Sequence, residues 1–188
     1  MTKRASGKRT GAPILAAGLA LVLASCGLTG PPNEIAVACP TTVVLAEGER
    51  LERYTENSER DLTDLVVRAR VGNIRKACSI LQEERILEMD MVLQVFAERG
   101  PAATPDAPLP VEYFVAVTEA GTTVRQRQVF KVAATFEGNA RQAVFNEEIF
   151  LAIPIAGNKV VGDYRVVVGI QLTPEELKRV VAAKNKRR

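Results

Sequence analysis

Residues 86–98 read Ile-Leu-Glu-Met-Asp-Met-Val-Leu-Gln-Val-Phe-Ala-Glu. In an extended chain Leu87, Met89, Met91, Leu93, Val95 and Ala97 share one side, and Glu88, Asp90, Gln94 and Glu98 the other. A period of two over this length does not suit a helix; it requires a strand covered on one face. The period recurs along the chain. Leu65, Val67, Ala69 and Val71 alternate with Val66, Arg68 and Arg70, and Gly72-Asn73 then reads as a turn before a second run, Ile74 to Gln82. Thr41 to Ala46 is a short β-rich run, and Gln82 to Arg85 is a polar turn. Val111 to Thr118 is apolar on both faces and belongs in the middle of its sheet. In 122–136 the residues Val124, Phe130, Val132, Ala134 and Phe136 point one way. The run 141–153 is interrupted at Asn146-Glu147-Glu148, as a bulge would interrupt it. The run 163–172 is clean, with Tyr164, Val166, Val168, Ile170 and Leu172 facing in.

The connections support the same class. Gly100 to Pro110 holds four prolines. Proline has no ladder donor, so this is a stiff crossover between sheets. Ala120-Gly121 and Gly138-Asn139 are turn pairs, and Pro154 to Asn158 is a loop. Thr173-Pro174-Glu175-Glu176 starts a helix: Thr173 caps, Pro174 suits the first helical position and Glu176 closes a capping box. Leu172 and Leu177 have the spacing of a hydrophobic staple. The helix carries Leu177, Val180 and Val181 as an apolar stripe and then gives way to a basic tail. About eight runs at short spacing, with one short C-terminal helix, predict an all-β, antiparallel, immunoglobulin-like β-sandwich over 39–172; a small closed β-barrel is the alternative. The chain has no tryptophan, so the likeness to immunoglobulins extends to layering only.

The N-terminus carries a different signal. Lys3, Arg4, Lys8 and Arg9 precede an apolar run from Pro13 to Ser25. That run is shorter than the about 20 residues a spanning helix needs, and its order is that of a secretory signal. Leu23-Ala24-Ser25-Cys26 resembles the lipobox of bacterial lipoprotein precursors. The resemblance implies cleavage after residue 25, acylation of Cys26 by diacylglycerol and a fatty acid such as palmitate, and a short spacer over 26–38. Stable anchoring takes more than one acyl chain, and such a Cys carries more than one. An ordinary secretory signal with an incidental Cys26, or an uncleaved helix, are the other readings of these residues.

Without residues 1–25, 163 of the 188 residues remain, enough for one domain with a sizeable core. The formal charge of +3 for the whole chain falls to −1, because the leader holds four cations and no anion. Lys178, Arg179, Lys184, Lys186, Arg187 and Arg188 crowd the end, so the remainder stands at −7. An acidic body with a basic end argues against a nucleic-acid-binding body, which would show a basic face with aromatic platforms. Beyond Cys26, Cys39 and Cys78 form an even pair that reads as a disulfide in an oxidising compartment, worth roughly 4 kcal/mol for its loop.

The chain has no histidine, which removes Ser-His-Asp and Cys-His catalysis and His-ligated metals. No glycine-rich phosphate loop is present. The acid pairs Asp61 with Asp64, Glu83 with Glu84, and Glu147 with Glu148 are read as solvated turn or edge features, and Asp90 as an outward charge. Met89 and Met91 read as packing. No catalytic residue, cofactor or metal is expected. Lys184, Lys186, Arg187 and Arg188 form a possible contact surface, for anionic lipid head groups or an acidic envelope partner; the plainer reading is a solvated end. Sheet edges invite strand addition, which edge charges oppose.

Four segments carry a further resemblance: Asp61-Leu62-Thr63-Asp64, Ala97-Glu98-Arg99-Gly100-Pro101, Tyr113-Phe114-Val115-Ala116-Val117, and Tyr164-Arg165-Val166 through Leu172-Thr173-Pro174-Glu175. From about Cys39 to Leu177 the chain resembles envelope lipoproteins of Gram-negative, alphaproteobacterial cells. The likeness implies no activity that transfers. Gly27 stands where an Asp would retain such a lipoprotein at the inner membrane, which tilts the expectation towards the inner leaflet of the outer membrane. The resulting expectation is a non-enzymatic interaction or assembly module, held to the bilayer through acylated Cys26 and facing the periplasm. The rival is a small-molecule or glycan binder with a pocket between the sheets; a carboxylate hydrolase is third.

Overall fold

The computed structural model describes residues 33–186 apart from residues 57 and 106. Residues 1–32, Arg187 and Arg188 lie outside the described residues, and with them the stretch over 1–26 for which a leader and an acylated Cys26 are expected. Nine strands are present among these: β1 (Glu34–Ala36), β2 (Thr41–Val44), β3 (Arg50–Tyr54), β4 (Leu65–Leu81), β5 (Ile86–Arg99), β6 (Leu109–Glu119), β7 (Thr123–Ala134), β8 (Gln142–Pro154) and β9 (Tyr164–Ile170). One helix follows, α1 (Pro174–Lys186). The first sheet runs β1-β4-β5-β8, with β3 also laid along β4; the second runs β2-β9-β6-β7. All pairings are antiparallel except that of β2 with β9. No pairing joins one sheet to the other among the described residues, so the arrangement is the expected open sandwich and not a closed barrel.

The core lies between the sheets. The alternation of β5 puts Leu87, Met89, Met91, Leu93, Val95 and Ala97 there, each at most 3 % exposed. Opposite stand Val111, Val115 and Val117 of β6 and Val166, Val168 and Ile170 of β9, all in one apolar cluster. Each such side chain contributes about 1.5–3 kcal/mol by burial. As its two-faced pattern predicts, β6 is an interior strand. The proline-bearing stretch after β5 carries the chain from the first sheet to the second. At its start a Cβ on Gly100 would lie 2.0 Å from the Leu65 carbonyl oxygen, so only glycine fits there.

Four expectations need correction. Gly72-Asn73 is not a turn: β4 passes straight through, with a register shift against β5 between Val71 and Ile74. A Cβ at residue 72 would lie 2.4 Å from the Phe96 ring, so any other residue there would have to displace that ring; the pair marks a bulge, the other reading of a glycine inside a strand. Asn146-Glu147-Glu148 is not a bulge, since β8 pairs with β5 without a shift from Gln142 to Pro154. Val124 does not join the inward row of β7, because the β6–β7 register shifts between Val117 and Thr118; like the rest of β7 before Phe130 it is exposed, at 57 %. The basic stretch after Val181 is not a tail: α1 continues to Lys186.

Two further elements were not anticipated. β3 falls in a segment with no long apolar period, and β1 occupies part of the stretch read as spacer. β1 belongs to the first sheet and β2 to the second, and the Cys39–Cys78 disulfide (Cα–Cα 5.2 Å) ties the segment between them to β4. The disulfide thus pins the first point among the described residues where the chain changes sheets.

Candidate functional site

The site is built where β9 ends. The chain turns at Leu172 and enters α1 through the predicted capping box: the Thr173 N–H donates to Glu176 Oε2 (2.7 Å), and the Glu176 N–H donates to Thr173 Oγ1 (3.2 Å). This leaves Glu176 Oε1 free to accept from Arg53 Nε at 3.1 Å. Arg53 also donates to the Pro110 carbonyl oxygen (3.0 Å), so one guanidinium joins β3, the start of β6 and the first turn of α1. The Glu176 side chain is 10 % exposed, which makes this a largely desolvated pair. Near the other end of the helix Lys184 donates to Glu47 Oε1 at 2.6 Å. Glu47 lies in a short 3-10 turn, Ala46–Gly48, just before β3.

Between these two ties a cleft of about 770 Å³ opens, with Leu51, Glu52 and Tyr54 on the strand side and Arg179, Val180 and Ala183 on the helix side. Glu52 accepts from Arg68 Nε (2.8 Å) and from the Tyr54 hydroxyl (2.9 Å). Burial pushes the Glu52 carboxyl up, but these bonds outweigh it and hold it below the usual carboxylate range. Burial, then the bond to Glu52, raises the Tyr54 hydroxyl. The hydrogen bond from Lys184 lowers Glu47. The Arg60 guanidinium lies over the Tyr54 ring, 5.0 Å from its centre.

The charges around the cleft do not cancel. Its four carboxylates, Glu47, Glu49, Glu52 and Glu176, are met by Lys184, Arg50, Arg68 and Arg53 respectively. Among the described residues this leaves Arg60 and Arg179 lining the cleft without a carboxylate partner.

The acid pairs singled out in sequence do not converge on a reacting centre. Asp61 caps the 3-10 turn Leu62–Asp64, accepting from the N–H groups of Thr63 (2.6 Å) and Asp64 (3.3 Å); the Thr63 hydroxyl and N–H hold its carboxyl below the usual range. Glu83 and Glu84 are exposed in the β4–β5 turn. Glu147 and Glu148 are neighbours on a regular strand and so face opposite ways. Glu147 turns inward and accepts from the buried Tyr113 hydroxyl at 3.2 Å. Burial first, then the Glu147 charge, raises the Tyr113 hydroxyl well above its ordinary value. Asp90 is exposed, and Met89 and Met91 are core.

Of the expected contact surface, Lys184 lines the cleft and Lys186 is exposed at the end of α1. Sequence reasoning missed Glu52, Tyr54, Arg60 and Glu47. The alternation of Arg50-Leu51-Glu52-Arg53-Tyr54 is a usable strand signal, but only Leu51 on its inward side is apolar. No group of three or more His, Cys, Asp or Glu side chains that could hold a metal occurs among the described residues. No helix among them is long and apolar enough to cross a membrane. Compared with protein-family models, curated proteins and solved structures, the chain matches none.

Proposed function

We propose that this chain is an envelope lipoprotein, held by acylated Cys26 and facing the periplasm, whose sandwich binds a partner in the β3–α1 cleft without catalysing a reaction. The observation that carries the binding part is the cleft's charge arrangement. Each of its four carboxylates has a cation within 4.0 Å, while Arg60 and Arg179 remain available to an anionic partner. The anchoring part rests on Leu23-Ala24-Ser25-Cys26 and the basic, apolar leader before it. Gly27 favours the outer membrane over the inner one.

A ligand between the sheets has no comparable support. Leu87, Leu93, Val166 and Val168 fill that space with no exposed surface at all. A small-molecule or glycan reading therefore moves to the same cleft, whose volume lies within the about 300–1,000 Å³ typical of ligand sites.

Two measurements test the proposal. Cys26→Ala should shift the protein from the membrane to the soluble periplasmic fraction; unchanged sedimentation with membranes sinks the anchor. A photo-crosslinking residue at position 183, in the cleft, should trap a discrete protein in intact envelopes, and one at position 141 should not. No adduct at position 183 removes the cleft as a partner site.

A further inference from the structure

We infer that the occupant of the cleft is an extended acidic peptide segment, which adds to β3 as an extra strand while its carboxylates meet Arg60 and Arg179. The inference rests on the reading of the cleft as a partner site and adds the chemistry of the partner. β3 pairs with β4 alone among the described residues, so its second edge offers free backbone donors and acceptors. The side on which they lie follows from the ladder. The Val71 N–H bonds the Glu49 carbonyl, which makes Glu49 and, two residues on, Leu51 the members that bond towards β4. The N–H and C=O of Arg50 and Glu52 therefore aim away from β4, and both residues line the cleft.

Opposite this edge, α1 presents Val180 and Ala183 beside Arg179. An unpaired strand edge facing a helix across a groove is a geometry that binds peptides by strand addition: main-chain bonds give affinity and alternate side chains give specificity. The five residues of β3 match a peptide of about 17 Å in extended form. The two unmatched guanidiniums decide its charge, because an incoming Lys would face uncompensated cations whereas Glu or Asp would make charge-assisted hydrogen bonds. Arg60 holds a left-handed backbone conformation (φ 67°), costly for a residue with a side chain and maintained only where the surroundings fix it. Here that conformation accompanies its placement over Tyr54.

The test uses the full-length protein in detergent micelles and a fluorescein-labelled hexapeptide of alternating valine and glutamate, read by anisotropy. The peptide should bind, and Arg60→Glu and Arg179→Glu should each weaken it about tenfold or more, as loss of a hydrogen bond to a charged group does. Arg141→Glu, outside the cleft, should change nothing. N-methylation of alternate peptide nitrogens should abolish binding. Equal binding of the N-methylated peptide, equal binding of a valine–lysine peptide, or full displacement by free glutamate at its own concentration would overturn the inference. If no peptide binds while position 183 still crosslinks a protein in envelopes, strand addition is wrong and the partner site stands. If the crosslink also fails, both readings fall together.

Discussion

The middle of the sandwich and its β3–α1 end are held together by different forces. In the middle, β5 and β9 press apolar side chains against each other, and the stabilisation is non-directional and proportional to area. At the end, the Arg53–Glu176 pair spans 123 residues of sequence and the Lys184–Glu47 pair spans 137. Such contacts depend on direction, protonation and salt. The core between the two sheets is apolar and takes only Leu51 from this end. The domain can therefore leave a charged, half-open cleft there, which a packed core cannot offer.

The sharpest way to break this contrast is Leu93→Ala, which truncates a side chain with no exposed surface in the central strand. It should cost about 3–5 kcal/mol in urea unfolding, the upper range for such cavities. A cost near 1 kcal/mol would mean that the core is looser than its burial implies. Next comes the disulfide. Cys39→Ser with Cys78→Ser should cost about 2–4 kcal/mol, since the bridge closes a long loop where the chain changes sheets. An unchanged urea midpoint would show that strand pairing alone fixes that crossing. Third is Glu176→Ala, which leaves Arg53 partly buried and uncompensated. It should cost roughly 2–3 kcal/mol, below the value for a fully buried pair because the Arg53 side chain is 27 % exposed. If Glu176→Ala costs as much as Leu93→Ala, the cap belongs to the core and the contrast fails.

The same contrast explains what was legible in the sequence. The stripe of β5, the inward row of β9 and the central placement of β6 follow from period two alone, because burial acts on every second residue. The capping box of α1 was legible because its partners are three residues apart. Gly72 misled because a glycine beside Asn73 signals a turn more often than it signals a bulge against a ring such as Phe96. Asn146-Glu147-Glu148 looks like a bulge because three polar residues in a row break the alternation, whereas Glu147 is drawn inward by Tyr113. β3 and the cleft were illegible: their cohesion comes from single charges far apart in sequence, and no local pattern pairs Arg53 with Glu176.

The smallest effects are also the most discriminating, because the two regions should respond to pH in opposite directions. Glu52 is held ionised at the cap by Arg68 and Tyr54, against the pull of burial. Its folded-state pKa lies below the unfolded one, so its contribution is present above about pH 4.3 and fades as pH falls through the lower folded value. Tyr113 in the core is the reverse case. Burial and the Glu147 charge raise its hydroxyl, so its contribution is complete below about pH 10 and is lost as pH rises towards the folded value. Urea midpoints of the native protein, Glu52→Gln and Tyr113→Phe across pH 3 to 11 separate the two. The Glu52→Gln curve should converge on the native curve in acid and run below it at neutral pH. Tyr113→Phe should lose stability less steeply than the native protein above pH 10. A Glu52→Gln deficit that persists unchanged at pH 3 would mean that the cap senses the shape of this side chain and not its charge. The distinction between a core held by area and an end held by ions would then have to be abandoned.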